Sequence, residues 1–306
     1  MKLQEFYSQK LEYGLEIVAA DKELAAHIQE ILIWHKLLAP PADGKFGPIS
    51  ASALREFQEL MKCNEEGFLG LDTANKLIET HPDVTSGLLE KKLNLSNDLA
   101  SRIIKYMLFK GYHVDRKVGE YNIIYIEGMN PNGILNSDKS NHFNDLRLVI
   151  QIVSRTPKII GIWEATTEPG KHYTYNPMNS KGAARIKFGQ YKAWRVGTHG
   201  IGKAEPHDGL VQVANVTVHR DFNKDMIRTG DKLDTGRFYI NQHHGYDYPR
   251  NDIYLAGAGC LVGRTRKGHR EFMRLIKQDW RYQSSRNYKF MTAIIAGDDL
   301  LQQFPA

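Results

Sequence analysis

From Lys22 to Leu38 the apolar residues Leu24, Ile28, Ile31, Leu32 and Leu38 recur at helical spacing, and Pro40-Pro41 ends that run. Ser50 stands where an N-cap begins a second helix with Leu54, Phe57 and Leu60 on one face. A short third helix is expected from Asp72 or Thr73 to near Thr80. The turns Asp43-Gly44-Lys45-Phe46-Gly47-Pro48 and Gly67-Phe68-Leu69-Gly70 give the stretch a two-fold internal echo. Residues 1 to about 20 alternate polar and apolar positions without a readable element. Residues 81–100 read as a linker entering a helix, and Leu99, Ile103, Ile104, Met107 and Leu108 carry that helix up to Gly111. Beyond Tyr121 the period changes. The runs 122–126, 146–153 and 159–163 are rich in β-branched and aromatic residues, and turns punctuate the chain up to Phe238. A helix from His269 to Asp279 and a strand over 290–295 close it. The expected fold class is α+β multidomain: a three-helix bundle in 1–80, a linker at 81–100 and a mostly β domain in 101–306.

Composition alters this picture little. Of 306 residues, 42% are apolar and 25% charged, which suits two globular domains with real cores. No apolar run is long enough to cross a membrane. The opening Met-Lys-Leu-Gln-Glu-Phe-Tyr-Ser lacks the apolar core of a secretory signal, so synthesis in the cytoplasm is the expectation. The net charge of +6 favours anionic partners. The basic residues are dispersed, however, and no dense tract points to nucleic acid. Two cysteines, Cys63 and Cys260, are too few for a disulfide framework. Cys63 falls in a helical pattern and reads as structural.

The chemistry concentrates between Asp221 and Phe272. Phe238-Tyr-Ile-Asn-Gln-His243 reads as a strand, in which His243 and His244 point to opposite faces, and Gly245 permits a sharp turn. The segment Ala256-Gly257-Ala258-Gly259-Cys260 has no bulky side chain before the thiol. Substrate backbone can approach closely there, and amide N–H groups beside Gly259 are left free for an oxyanion. A thiol needs a base or cation to react quickly near neutrality, which pairs Cys260 with His243 or His244. His199 and His219 are further candidates. Asp221, Asn223 and Asp225 have the alternation of a calcium loop, but Met226 stands where glycine is needed and no distal glutamate follows, so a solvated turn is expected.

Residues 23–80 resemble the three-helix peptidoglycan-binding domain, through Asp43-Gly44-x-Phe46-Gly47-Pro48, Ala53-Leu54-x-x-Phe57-Gln58 and Gly67-x-x-Gly70-x-x-Thr73-x-x-x-Leu77. That likeness implies docking on cell-wall glycan or its stem peptide. The second domain resembles the L,D-transpeptidase catalytic domain, in its divergent phage and bacterial cell-wall branch. The carrying residues are Trp163-Glu-Ala-Thr-Thr-Glu-Pro-Gly170, Gly189-Gln-Tyr191, Gly197-Thr-His199, Val218-His-Arg-Asp221-Phe-Asn223-Lys-Asp225, Ile240-Asn-Gln-His243-His-Gly245 and Gly259-Cys260. The resemblance implies a cysteine nucleophile at Cys260, a histidine base and backbone donors beside the thiol. Attack on a stem-peptide amide then gives a thioester, resolved by an amine or by water. The branch pattern places the base at His243, whereas the broader family's histidine before glycine favours His244. The broader family often carries arginine two positions after the cysteine, where this chain has Val262. Arg264 is the alternative contact for a substrate carboxylate, and His199 a further substrate-binding residue.

Two other readings compete. One is a zinc-dependent peptidoglycan amidohydrolase, for which Thr198-His199-Gly-Ile-Gly202 loosely fits a metal motif. The expected acid is replaced by Pro206, and no Glu-x-x-His follows. The other is a non-catalytic wall-binding part of a phage tail or injection machine. The expectations are thus peptidoglycan as partner, no nucleic acid, no membrane insertion, no cofactor in the main reading, and action at the cell wall after endolysin-like release or delivery.

Overall fold

The computed structural model describes residues 1–35, 37–80 and 93–305. Its two compact units are Met1–Leu93 and Asn94–Ala306, and the architecture is α+β. The linker expected at 81–100 falls mostly outside the described residues.

The first unit contains α1 (Leu3–Ser8), β1 (Tyr13–Gly14), α2 (Leu15–Ala20), α3 (Lys22–Trp34), α4 (Pro48–Leu60), β2 (Phe68–Leu69) and α5 (Leu71–Thr80). The apolar stripe of α3 buries Leu24, Ile28, Ile31 and Leu32 against Leu54 and Phe57 of α4 and Leu77 of α5. Helices α1 and α2 were not readable in sequence. Six residues each is too short for a period to show, and packing of Leu3, Phe6 and Val18 into the core holds them. Helix α3 ends a turn earlier than its periodicity suggests, and Leu37 and Leu38 pack on the core without helical backbone. Helix α4 is capped by Gly47 with Pro48 in its first turn. Ser50 is not the cap; its hydroxyl accepts from Gln29 Nε2 at 3.0 Å inside the core. Cys63 lies just past α4, outside any helix.

Buried glutamines clamp both echoed turns. Gln29 Oε1 accepts the Gly44 N–H at 2.8 Å, and Gln58 Nε2 donates to the Phe68 carbonyl at 2.7 Å. Gly44 has φ +70°, and a Cβ there would meet the Lys22 carbonyl oxygen at 2.7 Å, so only glycine fits.

The second unit opens with α6 (Leu99–Phe109), whose cap is Asp98, accepting from the Ser101 N–H at 3.0 Å. Strands β3 (Asn122–Glu127), β4 (Asp145–Val153) and β5 (Thr156–Thr166) form an antiparallel meander, longer at the edges than the apolar runs alone suggest. Then come α7 (Lys171–Tyr175), β6 (Ala183–Ile186), β7 (Gly189–His199), β8 (His207–Gln212), β9 (Val216–Asp221), β10 (Lys232–Gly236), β11 (Gln242–His244) and β12 (Leu261–Gly263). The chain ends through α8 (Arg266–Ile276), α9 (Trp280–Ser284), β13 (Phe290–Ala296) and α10 (Gly297–Gln303). A closed barrel runs in the order β11-β12-β5-β4-β3-β13-β7-β8, and β10-β9-β6 form a separate three-stranded sheet. Closure leaves no open barrel edge. Its core gathers Tyr125, Trp194, Phe272 and Phe290, all nearly or fully buried. Helix α8 starts one turn before the expected His269, because the Thr265 hydroxyl caps it through the Gly268 N–H at 3.0 Å.

Candidate active site

Strands β11 and β12 pair in parallel, with Gln242 opposite Leu261 and His243 opposite Val262. This register brings the residues just before each strand, Asn241 and Cys260, side by side; the Leu261 N–H donates to the Asn241 carbonyl at 3.0 Å. The expected strand from Phe238 is thereby shortened. Tyr239 has φ +59°, which breaks the extended backbone and turns its carbonyl toward the thiol. Gln212 holds this irregular segment. Its Oε1 accepts the Phe238 and Ile240 N–H groups at 3.0 and 2.9 Å, and its Nε2 donates to the Gly236 carbonyl at 3.0 Å. Trp194 Nε1 adds a bond to the Ile240 carbonyl at 2.7 Å.

These elements wall a groove of about 1050 Å³ that Cys260, His243, His199, Asn241 and Tyr239 line together. Cys260 is partly exposed in it. Gly259, immediately before, has φ +119°, and a Cβ there would stand 2.3 Å from the Ala184 carbonyl oxygen, so no side chain fits. Among the described residues no hydrogen bond engages the N–H of Gly259 or Cys260. Two donors beside the thiol are therefore unspent.

The protonation states follow from the partners. His243 Nδ1 faces the His244 carbonyl at 2.8 Å. A carbonyl only accepts, so Nδ1 carries the proton and Nε2 keeps a lone pair. Burial, reinforced by His199, holds His243 well below the usual imidazole range. Its ring stacks on His199 with centroids 3.8 Å apart and planes 8° off parallel. The Asn241 amide donates to His199 Nδ1 at 3.1 Å and in turn accepts the Gln212 N–H at 2.9 Å. Burial, with help from nearby His207 and Lys203, lowers His199 to about 4. Burial pushes the Cys260 thiol up to about 11, against the opposing pull of the Asn241 N–H and the Lys203 charge. The thiol donates to the Tyr239 carbonyl at 3.6 Å, and no imidazole bonds to Sγ among the described residues. The resting pair is therefore a neutral thiol and a neutral imidazole.

The other residues singled out in the sequence lie elsewhere. His244 is buried behind the groove, stacked on His207 at 3.6 Å, accepting the Tyr246 N–H at Nδ1 and facing Glu205 through Nε2 at 3.4 Å. Arg264 does not line the groove; its Nε donates to Glu164 at 2.6 Å. It lies one position past the last pair of β12 with β5, and its N–H donates to the Glu164 carbonyl at 2.9 Å. His219 sits in β9, outside the groove lining. The Asp221 carboxylate is spent on the N–H groups of Asp225 and Met226 at 3.1 and 3.0 Å, which closes the turn on itself. Gln212, Tyr239 and Lys203 carried no sequence signal of their own; barrel register alone brings them to the thiol.

His199 and His243 do not form a zinc donor set. Parallel stacked rings cannot converge on a tetrahedral centre, and Nδ1 is engaged in both His199 and His243. Among the described residues three metal-capable side chains meet within 4.8 Å at Glu127, Asp138 and Glu168. There Arg185 and Arg228 already supply the positive charge.

No helix among the described residues is long and apolar enough to cross a membrane. No curated protein matches the chain. A crystal structure of a fused Zn-dependent amidase/peptidase/peptidoglycan-binding domain-containing protein from Clostridium acetobutylicum ATCC 824 aligns over 93% of this chain and 99% of its own. The identity is 14% and the TM-score 0.25, too low to describe a shared fold. Residues 22–77 match the family model of the peptidoglycan-binding domain, so the N-terminal unit carries that module.

Proposed function

We propose that the C-terminal unit is a thiol enzyme acting on stem-peptide amides of peptidoglycan, concentrated on its substrate by the N-terminal module. One observation carries this reading: Cys260 and the neutral base His243 line the same open groove, with free backbone donors beside the sulfur. In the proposed reaction the sulfur swings from the Tyr239 carbonyl toward His243 Nε2, since catalytic bonds often tighten only with substrate bound. Sγ attacks the amide carbon as its proton passes to Nε2. The oxyanion takes the N–H groups of Gly259 and Cys260, and the amine leaves with the proton from His243. The thioester is then opened by water or by a second amine. Attachment through the wall-binding module raises the local concentration of the enzyme on an insoluble polymer. The reading extends to action at the cell wall, where the N-terminal module would hold the enzyme.

Mass spectrometry of muropeptides released from purified sacculi tests the proposal. Iodoacetamide is expected to stop release and a chelator to leave it unchanged. The opposite result would move the chemistry to a zinc-dependent amidohydrolase, the activity that the Clostridium protein's description names for that protein. No release under any condition leaves a wall-binding component of a larger assembly.

The pH profile follows from the neutral pair. His243 is depressed, so it is already a base below the usual imidazole range, and Cys260 keeps its proton up to about 11. The expected kcat/KM rises on the acid side with a midpoint below 6.5 and then stays flat through pH 9. A thiolate–imidazolium pair would instead give a bell falling above neutrality, and steady-state rates on a soluble stem peptide separate the two.

A further inference from the structure

The groove is lined by Arg195, Lys203, Arg220 and Arg237, and among the described residues no carboxylate lines it. Arg195, Lys203 and Arg237 are exposed, and no hydrogen bond or ion pair engages their side chains among the described residues. Five arginines elsewhere in this unit do hold a carboxylate each: Arg185, Arg228, Arg264, Arg266 and Arg281. Arg220 is buried and holds Asp234 through Nε at 3.1 Å, yet its Nη2 has no partner. The rim carries Met178, Ile201 and Tyr239, between 79% and 81% exposed, as apolar surface that a bound chain would cover.

The cations are spaced along the groove. Lys203 lines the groove in the turn that follows His199, its N–H donating to the Gly200 carbonyl at 2.9 Å, and its charge acts on both Cys260 and His199. Arg195 shares a strand face with Gly197 and His199 on β7, which puts it roughly 13 Å from His199. Gly197 leaves the floor between them bare. Arg237 projects from the segment that carries Tyr239.

Building on the proposed activity, we infer that this groove selects peptides bearing two free carboxylates, one near the reacting amide and one further along the groove, and discriminates against their amidated forms. Lys203 receives a carboxylate near the scissile carbonyl. Arg195 receives one about four extended residues away, and Arg237 adds a further guanidinium to the same groove. Guanidinium suits this second site because its fork matches a carboxylate, whereas the amide of an amidated peptide offers one weak acceptor and no charge.

The test is fluorescence anisotropy with the full-length Cys260→Ala protein, which binds without turnover. The probes are a labelled synthetic stem tetrapeptide with its α- and terminal carboxylates free, and the same peptide with both amidated. The free form is expected to bind about tenfold more tightly at low salt, with the gap narrowing as salt rises. Arg195→Gln combined with Arg237→Gln should close most of the gap, which assigns the discrimination to the groove and not to the N-terminal module. Both side chains are exposed, so an unchanged melting transition is expected; Lys203→Gln alone provides a second, milder reduction. Equal affinity for the two peptides, a gap that survives the substitutions, or equally tight binding of inorganic polyphosphate would overturn the inference. The outcomes are separable from the fate of the enzymatic reading. Charge-selective binding by a protein whose wild type releases nothing sinks only the chemistry. Turnover of free and amidated peptides at equal kcat/KM sinks only the selectivity.

Discussion

Replacing Cys260 by alanine is expected to lower kcat/KM for stem-peptide release by about ten-thousand-fold, with sacculus binding unchanged. The size of the effect follows from what is removed. Sγ is the thiol that lines the groove together with a base whose Nδ1 is spent on a carbonyl and whose Nε2 is therefore the basic nitrogen. The donors and walls left behind can still hold a carbonyl but have nothing to attack it with. Cys260→Ser should lose nearly as much. A hydroxyl is a far weaker acid than the thiol, and a neutral, depressed imidazole is a poor base for it. His243→Gln keeps a side chain of similar reach and is expected to lose activity while retaining sulfur that iodoacetamide still labels slowly. Co-sedimentation with purified sacculi reads binding, and muropeptide mass spectrometry reads release. Full release by Cys260→Ala would falsify the thiol mechanism outright, whatever the groove binds.

The residues at the centre of that prediction were legible because glycine and cysteine leave marks in a sequence. Gly259 is needed where φ is +119° and a carbonyl oxygen lies 2.3 Å from any Cβ, and such sites show as small-residue runs. Strand alternation separated His243 from His244, and β11 keeps that alternation though it is only three residues long; the preference for His243 came from the resemblance. What supports them was hidden. Gln212 reaches Gly236, Phe238 and Ile240 across the chain reversal between β8 and β11. No local pattern announces that a glutamine will serve these three backbone groups. Arg264 misled for a related reason: its distance along the chain from Cys260 is short, but β12 runs away from the thiol and delivers it to Glu164. In the N-terminal unit the turns and long helices were readable from glycine and apolar spacing. The short α1 and α2 were not, because burial of Leu3, Phe6 and Val18 and not local propensity makes them helical.

A second large effect is expected on stability, at a cluster that no motif announced. Glu127→Ala should destabilise the C-terminal unit by about 3–5 kcal/mol, a fall of about 10 °C in its thermal transition. Glu127 accepts both arms of Arg228, one of them at 2.5 Å, together with Arg185 at 3.0 Å and the Thr167 hydroxyl at 2.8 Å. Both arginines are largely buried, so losing their shared carboxylate strands charge away from water. The neighbours decide how the loss varies with pH. Burial first, and the Glu127 charge among other causes, raise Glu168 to about 7 and lift Asp145 well above the usual carboxylate range. A carboxyl raised on folding contributes stability that is full below its unfolded value near 4.5 and is lost as pH climbs through about 7. Wild-type stability therefore carries a downward contribution between those limits. Without Glu127, Glu168 and Asp145 ionise more easily and Glu168, already 2.5 Å from Arg185, takes over part of the pairing. The gap between wild type and variant should accordingly be wide near pH 5, where these carboxyls hold their protons, and narrow by pH 8. Denaturant melts at the two pH values measure it. A gap that is constant or grows with pH would mean that the carboxyls do not share the arginines, and that Glu127 alone satisfies them.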